Sequence, residues 1–205
     1  DLFMNGLLYG FLLGFSLIFA IGPQNIFVLK QGLKGEHIFW VCLICSLSDA
    51  LLIAIGVSGF YVFIEKFPWI SIIARYGGAA FLFFYGFTNL QSSLKTNHRV
   101  EFDDVKSKSF KKVMLTCLGF TWLNPHVYLD TIFLIGSVSS KYRNEALYFW
   151  FGTSIASFVF FYSLGYGAQL LKPLFSNPLT WKITEFVIGI IMLIIGFSLL
   201  KSYEI

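Results

Sequence analysis

The sequence predicts an all-α integral membrane protein, with six transmembrane helices arranged as two inverted three-helix repeats. Three observations lead there. Of the 205 residues, 57% are hydrophobic and only 13% charged, with a mean hydropathy of +0.74, far from the usage of soluble domains. The apolar residues fall into six runs, each long enough for the roughly 20 residues a helix needs to cross a bilayer. A polar, proline-containing break in the first run recurs in the fourth.

The runs cover about 3–29, 37–64, 68–94, 112–138, 146–171 and 179–200, leaving about 95–111 as the one sizeable loop, so residues 1–205 make a single transmembrane domain. Stretches such as Leu51–Gly59 and Phe186–Leu200 are apolar on every face, whereas the strands of a membrane barrel alternate with period two. The first run is too long for a secretory signal and has no basic flank or small-residue cleavage site, so it counts as a helix. The chain begins at Asp1, which leaves room for a few preceding residues. Within the first run Gly6, Gly10 and Gly14 recur every four residues, clearing one helix face for a close neighbour.

Orientation follows from the basic residues. One set of alternate loops and flanks holds Lys30, Lys34, Lys95, Arg99, Lys106, Lys108, Lys111, Lys112, Lys172 and Lys182, ten of the fifteen Lys and Arg. The bias places these loops in the cytoplasm and both termini outside. The 95–112 segment is basic, but Glu101, Asp103 and Asp104 interrupt it, so it reads as a solvated loop and no nucleic-acid partner is expected. Cys42 and Cys45 form a C-x-x-C inside the second apolar run, where packing is the simpler reading and a redox pair the competing one. His37, His98 and His126 are far apart, and no metal-ligand spacing is evident. Neither a metal nor a cofactor is expected.

The informative residues are the polar ones at membrane depth. Gly22-Pro23-Gln24-Asn25 interrupts the first helix and Thr121-Trp122-Leu123-Asn124-Pro125-His126 the fourth. Proline removes a backbone donor and frees carbonyls, which survive in a membrane only if buried in protein or lining a wet cavity. Counting about 1.5 Å per residue, the two breaks straddle the midplane. Paired interrupted helices in opposite halves point to a transporter's central site. Asp49 stands near the bilayer centre of the second helix, where an ionised side chain costs several kcal/mol, about 2.5–3.5 on insertion scales, unless it faces water or a cation. Asp130 lies one helical turn beyond His126 on the same face. It binds substrate, carries protons or pairs with Arg75. Arg75 and Glu185, closer to helix ends, are expected to snorkel.

Gly22-Pro23-Gln24-Asn25 with Lys30-Gln31-Gly32, Ser48-Asp49, and above all Thr121-Trp122-Leu123-Asn124-Pro125-His126-Val127-Tyr128-Leu129-Asp130 resemble the LysE family of amino-acid exporters, and within it the branch that exports L-lysine and L-arginine. The resemblance implies a non-enzymatic secondary exporter of basic amino acids in the bacterial cytoplasmic (inner) membrane, with these motif positions lining the path. Asp49, Asp130, Gln24, Asn25, Asn124 and His126 are then the expected substrate-binding residues, with Gly22, Pro23 and Pro125 at the helix breaks. Protons are the expected coupling ion. The 20% aromatic content fits either a lipid belt or a homodimer interface. Transport of a neutral amino acid or a metal cation is the competing reading, and an intramembrane redox protein using Cys42 and Cys45 a more distant one.

Overall fold

A computed structural model describes residues 2–19, 22–59, 68–94 and 109–201, so most of the expected 95–111 loop lies outside the described residues. All regular structure among them is helical: α1 (Leu2–Ile18), α2 (Pro23–Lys34), α3 (Ile38–Val57), α4 (Pro68–Leu94), α5 (Phe110–Trp122), α6 (Pro125–Tyr128), a π-helical segment (Leu129–Ile135), α7 (Gly136–Ser139), a 3-10 segment (Ser140–Glu145), α8 (Ala146–Gly167), a second 3-10 segment (Ala168–Ser176) and α9 (Pro178–Lys201). Ile38–Val57, Ala146–Leu171 and Pro178–Ser198 are each long and apolar enough to cross a membrane, and the bent pair Asn5–Ile18 and Pro23–Lys34 makes a fourth candidate.

The first apolar run is therefore not one helix over 3–29. It divides into α1 and α2, which meet at 81°. Gly22 is extended at the start of α2 (φ −123°, ψ 173°) with Pro23 directly after it. A proline ring cannot continue a helix without striking the carbonyl four residues back, but it suits a first turn, where no N–H is needed. At its other end α2 closes on Gly35 in the left-handed region (φ 74°), whose N–H bonds the Gln31 carbonyl at 2.9 Å. That tight turn feeds α3.

Small residues set the packing. Gly6, Gly10 and Gly14 lie against Glu145, Phe149 and Thr153 of the α8 side. Both series advance by four, so α1 and α8 run parallel. A Cβ on Gly10 would strike the Phe149 carbonyl, and one on Gly14 would stand 3.1 Å from Thr153 Cα. The backbones touch where a side chain would hold them apart.

Helix α8 runs antiparallel to α3, with Trp150 Nε1 donating to the Ala50 carbonyl at 2.8 Å and Cys42 Sγ to the Phe161 carbonyl at 3.2 Å. On its other side α3 runs parallel to α5 and the π segment. Cys45 and Cys117 sulfurs lie 3.5 Å apart, Trp122 Nε1 donates to Ser48 Oγ at 3.2 Å, and Gly56 abuts Thr131 and Ile132. Helices α4 and α9 pair antiparallel through Gly86, Gly189 and Gly196. The three cysteines are free and buried.

Phe120 of α5 is wedged among Phe27 of α2 and Phe81 and Tyr85 of α4, at ring separations of 5.0, 4.8 and 4.7 Å. One turn along α2 from Phe27, Lys30 pairs with Glu185 of α9 at 3.2 Å and donates to Asn89 of α4. Glu185 is buried. It does not snorkel as its position near a helix end suggests, because Lys30 compensates its charge inside the protein. The side chain of Arg75 lies outside the described residues.

Candidate functional site

A cavity of about 360 Å³ opens where the two broken stretches meet. Its wall includes Gly22, Pro23, Gln24 and Asn25 at the start of α2, Asp49 of α3, and Asn124, His126, Asp130 and Thr131 around α6 and the π segment. Leu17, Ile18, Ile53, Ile135, Phe161 and Ile195 supply its apolar part. Of the nine residues singled out in the sequence, eight line this one space. The side chain of Pro125 lies outside the described residues.

The two breaks are built alike. In each, proline opens a new helix and a side chain just beyond it satisfies a carbonyl at the end of the preceding helix. Asn25 Nδ2 donates to the Ile18 carbonyl at 2.8 Å, and the Tyr128 hydroxyl to the Trp122 carbonyl at 2.6 Å. These bonds answer the need of a helix C-terminus held away from water. Asn25 thus braces α1 as well as lining the cavity. The two new N-termini differ. At α6, Asn124 caps the helix, its Oδ1 accepting from the His126 N–H at 3.1 Å. At α2 the capping position is Gly22, and no side chain caps the helix.

Asp49 is buried in the wall. Its Oδ2 accepts from Ser157 Oγ at 2.8 Å, while Oδ1 is buried with no hydrogen-bond partner. The Gln24 amide, buried beside it, interacts with this carboxylate. Asp130 is half-buried, one turn beyond the exposed His126, and lines the same cavity as Asp49. Among the described residues no basic side chain forms an ion pair with either aspartate. Two acids facing one cavity make a space of negative potential. A cation entering it finds oxygen acceptors instead of lipid.

Sequence reasoning missed two parts of this site. Ser157 stands 108 positions from Asp49, and nothing in the local pattern of α8 distinguishes it from Ser154. The π turn carrying Asp130 was also unread; such turns re-aim a side chain within a helix and are frequent at functional sites.

A family model described as "LysE type translocator" matches residues 15–203. The chain belongs to this family. Among curated proteins it is similar to arginine exporter proteins ArgO: 36% identical over 194 residues to those of Salmonella newport and Salmonella typhimurium, and 35% to that of Salmonella schwarzengrund. Each alignment covers 94% of this chain and 92% of the relative. No solved structure matches the chain. This LysE-family member is a transporter and not an enzyme, a multi-pass protein of the bacterial inner membrane.

Proposed function

We propose that this protein exports basic amino acids, L-arginine and/or L-lysine, from the cytoplasm by alternating access, most simply in exchange for protons. The observation that carries the reading is the pair of acids: Asp49 and Asp130 face one cavity between two broken helices. Arginine and lysine bear net positive charge, and the relatives that match along nearly the whole chain are named as arginine exporters. Asp49 receives a cationic group of the cargo, while Asp130 holds a second one or takes the coupling proton. Gln24, Asn25, Asn124 and His126 supply further polar contacts.

The helix pairing supports an inverted repeat of six spans. If the first three spans are exchanged with the last three, the α1–α8 pair maps onto the pair formed by α5 and the π segment with α3, and the antiparallel α3–α8 and α4–α9 pairs map onto themselves. A two-fold relation in the membrane plane has this property, and rocking of the halves about the central cavity then exposes it to either side. Outward movement of a cation against a negative-inside potential costs about 2.3 kcal/mol per charge per 100 mV, so uniport would run inward and a coupled ion is needed.

Efflux of labelled arginine and lysine from proteoliposomes, compared for wild type, Asp49→Asn and Asp130→Asn, tests the reading. Export by wild type that Asp49→Asn abolishes is the expected result. A wild type that moves neither amino acid overturns the assignment.

A further inference from the structure

We propose that Glu185 and Asn89 form a binding site for the cargo's side-chain cation on the cytoplasmic side of the central cavity, occupied in this conformation by the ammonium of Lys30. The site rests on the export reading and adds an entry step to it. Cargo there takes the place of a side chain that resembles it.

The ammonium of Lys30, on α2, lies 3.2 Å from the Glu185 carboxylate of α9 and donates to Asn89 Oδ1 of α4. Glu185 and Asn89 are each 4% exposed. Asn89 is fixed in turn, its Nδ2 donating to the Tyr85 carbonyl at 2.8 Å, which leaves Oδ1 directed at Lys30. What these oxygens receive is an ammonium on a flexible four-carbon stem, the same group that free lysine carries. Lys30 and Asn89 also line a second cavity, together with Phe27, Lys34 and Lys112. Its volume is about 40 Å³, close to the roughly 30 Å³ share of one water and far too small for an amino acid. Cargo therefore reaches Glu185 only when Lys30 leaves. Gln24 of the central cavity and Lys30 stand on the same helix, roughly 9 Å apart at about 1.5 Å of rise per residue. The basic flanks of α2, α5 and α9 put the Lys30 end toward the cytoplasm.

A buried carboxylate and ammonium are a poor way to hold helices together. An apolar pair of similar volume is often as stable or more so, whereas removing one charge alone is costly. The same imbalance makes a selective entrance. The Lys30 side chain is 17% exposed, so its long stem can carry the charge out toward water. A guanidinium or ammonium that enters as Lys30 leaves keeps Glu185 compensated throughout, and the exchange is nearly even. A neutral amino acid leaves the carboxylate buried and alone. Lys34 and Lys112, in the wall of the small cavity, oppose a bare cation but attract the carboxylate that arginine and lysine also carry. The entrance thus sorts by charge before cargo meets Asp49 and Asp130.

The test is thermal unfolding of the purified protein in detergent, titrated with L-arginine or with citrulline, its neutral isostere. Wild type, Lys30→Met and Lys30→Met/Glu185→Met are compared. The central cavity is common to all three, so what the single variant gains over the double reports Glu185. A site that its own lysine fills more than about nine-tenths of the time binds a competitor at least about tenfold more weakly than an empty one. Lys30→Met is therefore expected to reach half of its maximal protection at an arginine concentration about tenfold or more below that of wild type and of the double variant. Citrulline should show no such difference. Lys30→Gln, neutral but still able to donate to Asn89, is expected to behave like Lys30→Met and decides the matter if that variant does not fold. Equal half-protecting concentrations in all the proteins overturn the site while leaving export intact, as does citrulline that protects Lys30→Met as well as arginine does. Arginine that protects none of them overturns the export reading, and the site with it.

Discussion

The pair Lys30–Glu185 permits a quantitative test of how the two ends of the chain are held together. The side chains are 17% and 5% exposed, with 3.2 Å between charges. Replacing Lys30 by methionine deprives a buried carboxylate of this partner, which for buried pairs costs about 3–5 kcal/mol. Because Lys30 retains some access to solvent, we expect the lower end, about 3 kcal/mol, which for a chain of this size corresponds to roughly 6–12 °C in melting temperature. Glu185→Met should cost less, since Lys30 keeps its bond to Asn89 and part of its hydration. The double variant, with two apolar side chains of similar length in contact, should recover most of the loss, because neither charge is then buried alone. Thermal unfolding of the purified protein in detergent, followed by tryptophan fluorescence, measures all four corners of the cycle. Single variants that each shift the midpoint by less than about 2 °C, or a double variant as damaged as the sum of the singles, would refute the reasoning and place the pair in effective contact with water.

Other predictions follow from single contacts. Gly10→Ala should destabilise the protein by about 1–3 kcal/mol in the same unfolding assay, because its methyl strikes the Phe149 carbonyl, whereas Gly167→Ala, with nothing within 4 Å, should be neutral or mildly stabilising. Ser157→Ala removes a hydrogen bond to the Asp49 carboxylate, a loss of about 1.5–3 kcal/mol for a bond to a charged group. It should slow arginine efflux at unchanged membrane abundance, and Ser157→Thr, which keeps the hydroxyl, should restore part of the rate.

Composition and run length sufficed to read a helical membrane protein, because a chain in lipid has few ways to satisfy its backbone and the apolar runs advertise the one it uses. The motif residues carried the family. The polar positions at depth were equally visible, since an aspartate or a Pro-Gln-Asn sequence stands out against leucine and phenylalanine. What the pattern could not convey is what those groups bond to. Asn25 reads as a cavity group yet also braces a carbonyl of α1. Glu185 reads as a residue near a helix end yet is matched by Lys30, 155 positions earlier. The 81° bend after α1 is likewise a tertiary outcome: proline and glycine mark where a helix must stop, but the direction of the next one is fixed by packing against α8 and α3.

The aromatic wedge also has an electrical consequence. Phe120, Phe27, Phe81 and Tyr85 pack together, with Phe27 standing on α2 between Gln24 of the acidic cavity and Lys30, and the one hydroxyl among them is already engaged with Thr116 Oγ1 at 2.8 Å. Protons hop along files of water or chains of polar groups, and a plug of ring carbon offers neither. A protein that trades cargo for protons must not become a wire when cargo is scarce. Under the proton exchange proposed above, four such rings in this conformation act as insulation, so that many copies can sit in one membrane without discharging its gradient.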